Sequence, residues 1–101
     1  TSFFYKNGTA FNIAKNRFSA SNTLVFLRNY EINETKLVKG LVKPGWTVID
    51  IGANFGWYSI HFSQLVGPSG KVFSFEPIPD SYEELNSNMQ LNSCQNMKTF
   101  N

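Results

Sequence analysis

The sequence predicts an α/β fold, a parallel sheet whose strands are joined by helices, led in by a β-hairpin and one helix. Three observations predict it. From Thr47 onward, short β-rich apolar runs alternate with helical patterns, the order that builds a parallel sheet. The connectors between them are short, as right-handed crossovers require. The first run leads into Asp50-Ile51-Gly52-Ala53-Asn54-Phe55-Gly56, an acid followed by a two-glycine turn where strand gives way to helix.

The opening reads as the hairpin. Ser2-Phe3-Phe4-Tyr5-Lys6 and Thr9-Ala10-Phe11-Asn12-Ile13 flank Asn7-Gly8, the dipeptide best suited to a two-residue type I′ turn. Thr23-Leu24-Val25-Phe26-Leu27 fits a short strand or mid-helix equally, because periodicity does not separate them. Residues 31–42 predict a helix with Ile32, Leu37 and Leu41 roughly on one side, Asn33 or Thr35 as its cap, and Pro44-Gly45 as its stop.

The regular part follows. Thr47–Ile51 is a strand apolar on both faces, as a central parallel strand would be. Residues 55–66 predict a helix buried through Phe55, Tyr58, Phe62, Leu65 and Val66, stopped by Gly67-Pro68-Ser69-Gly70. Lys71–Glu76 is a second strand ending in a second acid. After Pro77 and Pro79, Asp80 with Glu83 three residues on has capping-box spacing for a helix buried through Tyr82, Leu85 and Met89. Residues 96–101 enter a third strand. Three such strands make an unfinished doubly wound sheet, so residues 1–44 read as a lead and 45–101 as the first half of a domain. The rest is expected to follow or to come from another chain, and the segment alone to be inactive.

Composition bounds the chemistry. The 101 residues are 42% hydrophobic and 16% aromatic, ample for a packed core. Net charge is only +2 with scattered Lys and Arg, which argues against a nucleic-acid partner. Cys94 is the one cysteine, which excludes an internal disulfide and a cysteine-rich zinc site, and no metal is expected. No apolar run approaches the roughly 18 residues that span a bilayer, so no membrane partner and a cytoplasmic location are expected. An unfinished sheet leaves an edge ready to pair, which points to a homodimer.

Asp50 and Glu76 end neighbouring strands, at the edge where open α/β sheets bind ligands. Strands lie about 4.8 Å apart, so both carboxylates border one crevice. Glu76 follows Asp50 by 26 positions, near the spacing at which an acid meets ribose hydroxyls. The glycines then discriminate. A dinucleotide fingerprint starting at Gly52 needs glycine at 54 and glycine or alanine at 57; the chain has Asn54 and Trp57. NAD and FAD are disfavoured, and a P-loop is absent. Gly52 and Gly56 suit a smaller group, such as the amino-acid tail of S-adenosylmethionine, its ammonium near Asp50 and its carboxylate near N–H groups of the turn.

With Asp50-Ile51-Gly52-Ala53-Asn54-Phe55-Gly56, Tyr58-Ser59, Gly70-Lys71-Val72 and Phe75-Glu76-Pro77 in this order, the stretch Val48–Asn92 resembles the start of the FkbM family of class I S-adenosylmethionine-dependent methyltransferases. Tyr82, Leu85, Asn88 and Asn92 match its next helix, and Tyr30-Glu31 and Lys43-Pro44-Gly45 its approach to the loop. The resemblance implies a Rossmann-like parallel sheet and O-methylation of a hydroxyl on a sugar, other glycan or small-molecule natural product. It also implies that Asp50, Gly52, Ala53, Asn54 and Gly56 form the cofactor loop, that Glu76 beside Pro77 holds the ribose, and that Tyr30-Glu31 closes over the methionine end.

Plainer readings stand beside these. Asp50 also suits a helix cap, Glu76 an ordinary strand-end acid, and Asn54 a turn former tolerant of left-handed φ. His61 invites a general-base role but falls beyond the loop, which favours a solvated or boundary position. Trp57 and Tyr58 could meet a sulfonium by cation–π attraction, although Tyr58 fits the core. The sequence names no catalytic residue. An NAD-dependent oxidoreductase fragment and a non-catalytic binding or assembly module remain open.

Overall fold

The computed structural model describes residues 2–5, 8–12 and 32–101. Tyr30, Glu31 and the ambiguous run at 23–27 lie outside the described residues. Strands β1 (Ser2–Tyr5) and β2 (Thr9–Asn12) form the antiparallel hairpin, followed by helix α1 (Ile32–Leu41). Then β3 (Thr47–Ile51), α2 (Trp57–Val66), β4 (Lys71–Phe75), α3 (Pro79–Leu91) and β5 (Met97–Phe100) alternate. The three later strands pair in parallel in the order β3-β4-β5.

The hairpin register differs from the type I′ expectation. Tyr5 pairs with Thr9, leaving three residues between the strands, and Gly8 takes φ 81°. A three-residue hairpin with a left-handed glycine at its end is the next most favoured connection.

Pairing of Val48 with Val72 and of Asp50 with Ser74 sets which side chains share a face. Val48, Val72 and Met97 join one core with Ile60 and Val66 of α2, Leu85 of α3 and Phe11 of β2. The opposite face is open among the described residues: Ile49 is 63% and Ile51 84% exposed, and β3 pairs on one side only, with β4.

The helices bury other faces than periodicity suggested. Trp57, Ile60, His61 and Val66 are buried in α2, while Tyr58 and Phe62 pack at the margin. Ile32, Leu37 and Leu41 of α1 are exposed, and Thr35 turns inward to accept a hydrogen bond from the Trp57 indole at 3.0 Å. A buried indole N–H needs such a partner, so the tryptophan selects the face of α1. On α3, Pro79 sits at the first turn and Ile78 is the cap residue with no side-chain cap, so Asp80 and Glu83 form no capping box. Proline at the helix start needs no N–H partner. Leu85 and Asn88 are the fully buried residues of this helix.

Candidate functional site

The turn after β3 is pinned by one carbonyl and shaped by three left-handed residues. Gly52 and Ala53 both donate their N–H to Phe75 O, at 2.9 and 3.0 Å, which folds the turn over the end of β4. Gly52, Asn54 and Gly56 take φ 78°, 53° and 98°. Glycine adopts this region freely and asparagine more readily than most residues. A Cβ at Gly56 would also lie 2.9 Å from Leu85 Cδ1, so α3 packs against the loop where a side chain is missing. At Gly52 a Cβ would meet nothing within 4 Å, so the backbone there faces open space. Phe55 anchors the turn from beneath, edge-on to Phe11 at 5.9 Å.

Both acids sit at this rim. Asp50 is half-buried and accepts a hydrogen bond on Oδ2 from Ser59 Oγ at 2.5 Å; Ser74 Oγ donates to Ser59 Oγ at 2.8 Å. Its Oδ1 has no partner among the described residues. Burial pushes the Asp50 carboxyl above its usual value, the Ser59 hydroxyl pulls it back, and the Glu76 charge raises it again. Pairing of Asp50 with Ser74, two residues before Glu76, and the Asn54 N–H bond to Glu76 place both acids at the same strand-end rim.

Glu76 is placed differently. It is 5% exposed, accepting the Asn54 N–H on Oε2 at 2.7 Å and the Ile78 N–H on Oε1 at 2.9 Å. It therefore bridges the two strand-to-helix turns. An ionised carboxylate has about four acceptor sites, so two bonds leave acceptor capacity for hydroxyls.

The remaining candidates separate from the rim. His61 is 4% exposed, not solvated, with Nδ1 2.6 Å from Trp57 O and its ring 4.6 Å from the Trp57 ring. Burial holds its pKa below the ordinary value, partly offset by that bond, with Lys39 lowering it further. Trp57 is 2% exposed and packs on Phe11 at 5.2 Å, so its ring belongs to the core and not to a cation site. Pro77 is exposed beside Glu76. Three residues without an expected role do matter: Ser59 donates to Asp50, Ser74 donates to Ser59, and Asn88 donates to Phe55 O at 2.7 Å. Ser59, in the first turn of a helix that follows an acid-bearing loop, was the available signal.

An open groove of about 920 Å³ lies at the other end of β4 and β5, lined by Gly67, Cys94 and Asn96. Asn96 is engaged there, donating to Ser63 O and Gly67 O at 2.9 and 2.8 Å. Neither strand-end acid lines it. Among the described residues no His, Cys, Asp or Glu group could hold a metal, and no helix is long and apolar enough to cross a membrane.

Comparison with known proteins agrees with this geometry. Residues 50–101 match the Methyltransferase FkbM domain. Ribosomal RNA large subunit methyltransferase E of Wigglesworthia glossinidia brevipalpis is 39% identical over 56 residues, half of this chain and 28% of that protein. Protein-L-isoaspartate O-methyltransferase of Aeropyrum pernix is 38% identical over 48 residues, 48% of this chain and 18% of that protein. The crystal structure of M. jannaschii TYW2 in complex with AdoMet superposes with a TM-score of 0.69 at 25% identity, covering 94% of this chain and 40% of that one. The match thus spans well under half of each relative, and the fold is that of Rossmann-like methyltransferases. The cofactor these comparisons support is S-adenosylmethionine.

They also correct one expectation. A second ribosomal RNA large subunit methyltransferase E, from Nitrosomonas eutropha, is 40% identical over 47 residues, so exclusion of a nucleic-acid partner does not stand, and with it falls the partner reading drawn from composition. The low net charge is that of residues spanning under a third of these relatives, whose basic surface for phosphates can lie elsewhere. The family match takes in half of the chain, including the glycine turn and both strand-end acids, and on it this chain belongs to the FkbM methyltransferase family.

Proposed function

We propose that the intact protein is an S-adenosylmethionine-dependent O-methyltransferase acting on a hydroxyl of a sugar or natural product, and that residues 45–101 hold its cofactor. The observation that carries this reading is the shared rim: Asp50 and Glu76 beside a turn whose Gly52 backbone faces open space. The residues fit the group. Asp50 presents an Oδ1 with no partner among the described residues, where an ammonium would be neutralised, and burial and the Glu76 charge disfavour its ionised form, which a cationic ligand would favour. Glu76 retains lone pairs for ribose hydroxyls and, as an acid, disfavours a 2′-phosphate. Gly52, Ala53, Asn54 and Gly56 bring backbone close to the ligand, and Pro77 borders it.

S-adenosylmethionine supplies a methyl group activated by its sulfonium. The protein's share is then orientation, which is worth much of the barrier when the reacting atoms are held in line. Ser59 and Ser74 fix the Asp50 carboxylate, and the two N–H bonds to Phe75 O fix the turn. O-methylation is favoured by the protein-L-isoaspartate O-methyltransferase relatives. An RNA acceptor is the second reading, favoured by the ribosomal RNA methyltransferases.

Calorimetry on the intact protein tests the pocket. S-adenosylhomocysteine should bind and NADH should not, and Asp50→Ala should weaken binding tenfold or more, the scale of a lost hydrogen bond to a charged group. Unchanged affinity in Asp50→Ala, or preference for NADH, would refute the assignment. Transfer of labelled methyl to glycan hydroxyls or to ribosomal RNA decides between the acceptors.

A further inference from the structure

Helix α3 treats β2 as if it were itself a strand. Asn92 accepts from Ala10 N at 2.9 Å and donates to Ala10 O at 2.6 Å. One turn earlier, Asn88 accepts from Asn12 N at 2.6 Å, and Asn12 Nδ2 donates to Ser87 Oγ. The spacings match: two residues along a strand advance about 6.8 Å, and four along a helix about 6 Å. Two carboxamides four apart therefore meet alternate peptide groups on one edge of β2.

The two asparagines then diverge. Asn92, the residue that caps the C-terminus of α3, spends its other amide hydrogen on Asn88 O one turn back. Asn88, fully buried, donates to Phe55 O at 2.7 Å. That carbonyl belongs to the turn between two left-handed residues, Asn54 and Gly56, so the Asn88 bond holds the loop at its left-handed stretch. A second contact joins the same parts, since Phe11 of β2 packs edge-on against Phe55. Hairpin, helix and turn thus meet at one carboxamide.

We infer that Asn88 is a positioning residue that couples the seating of the N-terminal hairpin to the shape of the cofactor loop. Its Oδ1 holds β2 and its Nδ2 orients the Phe55 carbonyl, so each side is ordered only when the other is. The inference rests on the cofactor reading of that loop. Coupling is reciprocal: a ligand that orders the turn also orders β2, and loosening β2 through Asn88 weakens the ligand.

The test uses the intact protein with S-adenosylhomocysteine as probe. Asn88→Asp keeps the shape and the acceptor for Asn12 N–H but sets a second acceptor against the Phe55 carbonyl. Asn92→Ala frees the Ala10 peptide but leaves the Asn12 bond to Asn88, and the turn, in place. Calorimetry should show Asn88→Asp binding tenfold or more weakly, and Asn92→Ala within threefold of wild type. Amide exchange on the wild type, which depends on no variant folding, should show saturating probe slowing Asn12 N–H at least threefold along with the loop amides. Wild-type affinity in Asn88→Asp, equal weakening in both variants, or an Asn12 amide indifferent to the probe would overturn the inference. No binding by the wild type would overturn the cofactor reading itself, and this inference with it.

Discussion

The chain makes two strand-to-helix turns at one edge of the sheet and builds them from opposite materials. After β3 the turn carries two glycines and three left-handed residues, and its acid, Asp50, is held by hydroxyls with one oxygen unpartnered among the described residues. After β4 the turn is Pro77-Ile78-Pro79 with no left-handed residue, and its acid, Glu76, is buried with each oxygen on a backbone N–H. One turn lays backbone open beside a half-satisfied charge. The other spends its charge holding backbone together. The difference teaches that two acids in matching positions can divide the work: Asp50 keeps one oxygen open to the rim among the described residues, whereas Glu76 secures the loop beside it.

The sharpest way to break this comparison is at Glu76. Glu76→Ala leaves the Asn54 and Ile78 N–H groups without their acceptor, and hydrogen bonds to charged groups are worth about 1.5–3 kcal/mol each. Stability should fall by about 3 kcal/mol or more in urea unfolding. Glu76→Gln, which keeps one acceptor oxygen, should fall about half as far. If both variants unfold like wild type, Glu76 is no loop anchor and the division of labour fails.

A smaller loss is expected at Gly56→Ala. The φ of 98° is unfavourable for any residue with a Cβ, and that Cβ would lie 2.9 Å from Leu85 Cδ1. Leucine's terminal methyl can yield, so the backbone term dominates, and a non-glycine left-handed residue costs about 1–2 kcal/mol. A loss of about 2 kcal/mol follows for the first turn. Gly52→Ala, with open space around it, should lose only the backbone share while still impairing S-adenosylhomocysteine binding.

How far the sequence foretold all this follows from where its signals lie. The alternation was legible because β3 and β4 are short, β-rich and bounded by glycine or proline, and the observed ends fall within two residues of those expected. The acid-bearing turn was legible because its residue types are chemically restrictive. The face of α2 was not. That helix is apolar most of the way round, so Tyr58, Phe62 and Leu65 looked as good as Trp57, Ile60 and His61. What decides is the Thr35 hydroxyl that receives the Trp57 indole, a contact 22 residues away in sequence. Likewise Asn88 carries no local signal as one polar residue in a polar helix, and its role appears only when β2 and Phe55 O arrive beside it.

Asp50→Asn should act in the opposite sense to the Glu76 variants. The folded-state pKa of Asp50 is raised, by burial first and by Glu76 as well. A raised pKa gives stability that is present below the unfolded value, about 3.9, and lost as pH rises through the folded value. The neutral asparagine carries no such loss. The variant should therefore match wild type in strong acid and unfold at a higher temperature near neutrality, while binding S-adenosylhomocysteine at least tenfold more weakly. Thermal melts across the acid range check the sign. A variant less stable than wild type at pH 7 would mean that Asp50, too, is structural.

The smallest effect is expected at Asn54→Gly, and it bears on what the loop asparagine is for. At φ 53° glycine is less strained than asparagine, but a glycine also frees the unfolded chain, and such exchanges are worth about 0.4–1 kcal/mol in the opposing direction. The two terms nearly cancel. The N–H that reaches Glu76 at 2.7 Å survives the substitution, so the anchor of the turn is kept. Stability should change by less than about 1 kcal/mol and S-adenosylhomocysteine affinity by less than threefold. A tenfold loss of affinity at unchanged stability would give the Asn54 side chain a direct hold on the ligand, and the open turn would then recognise its guest by side chain as well as by backbone.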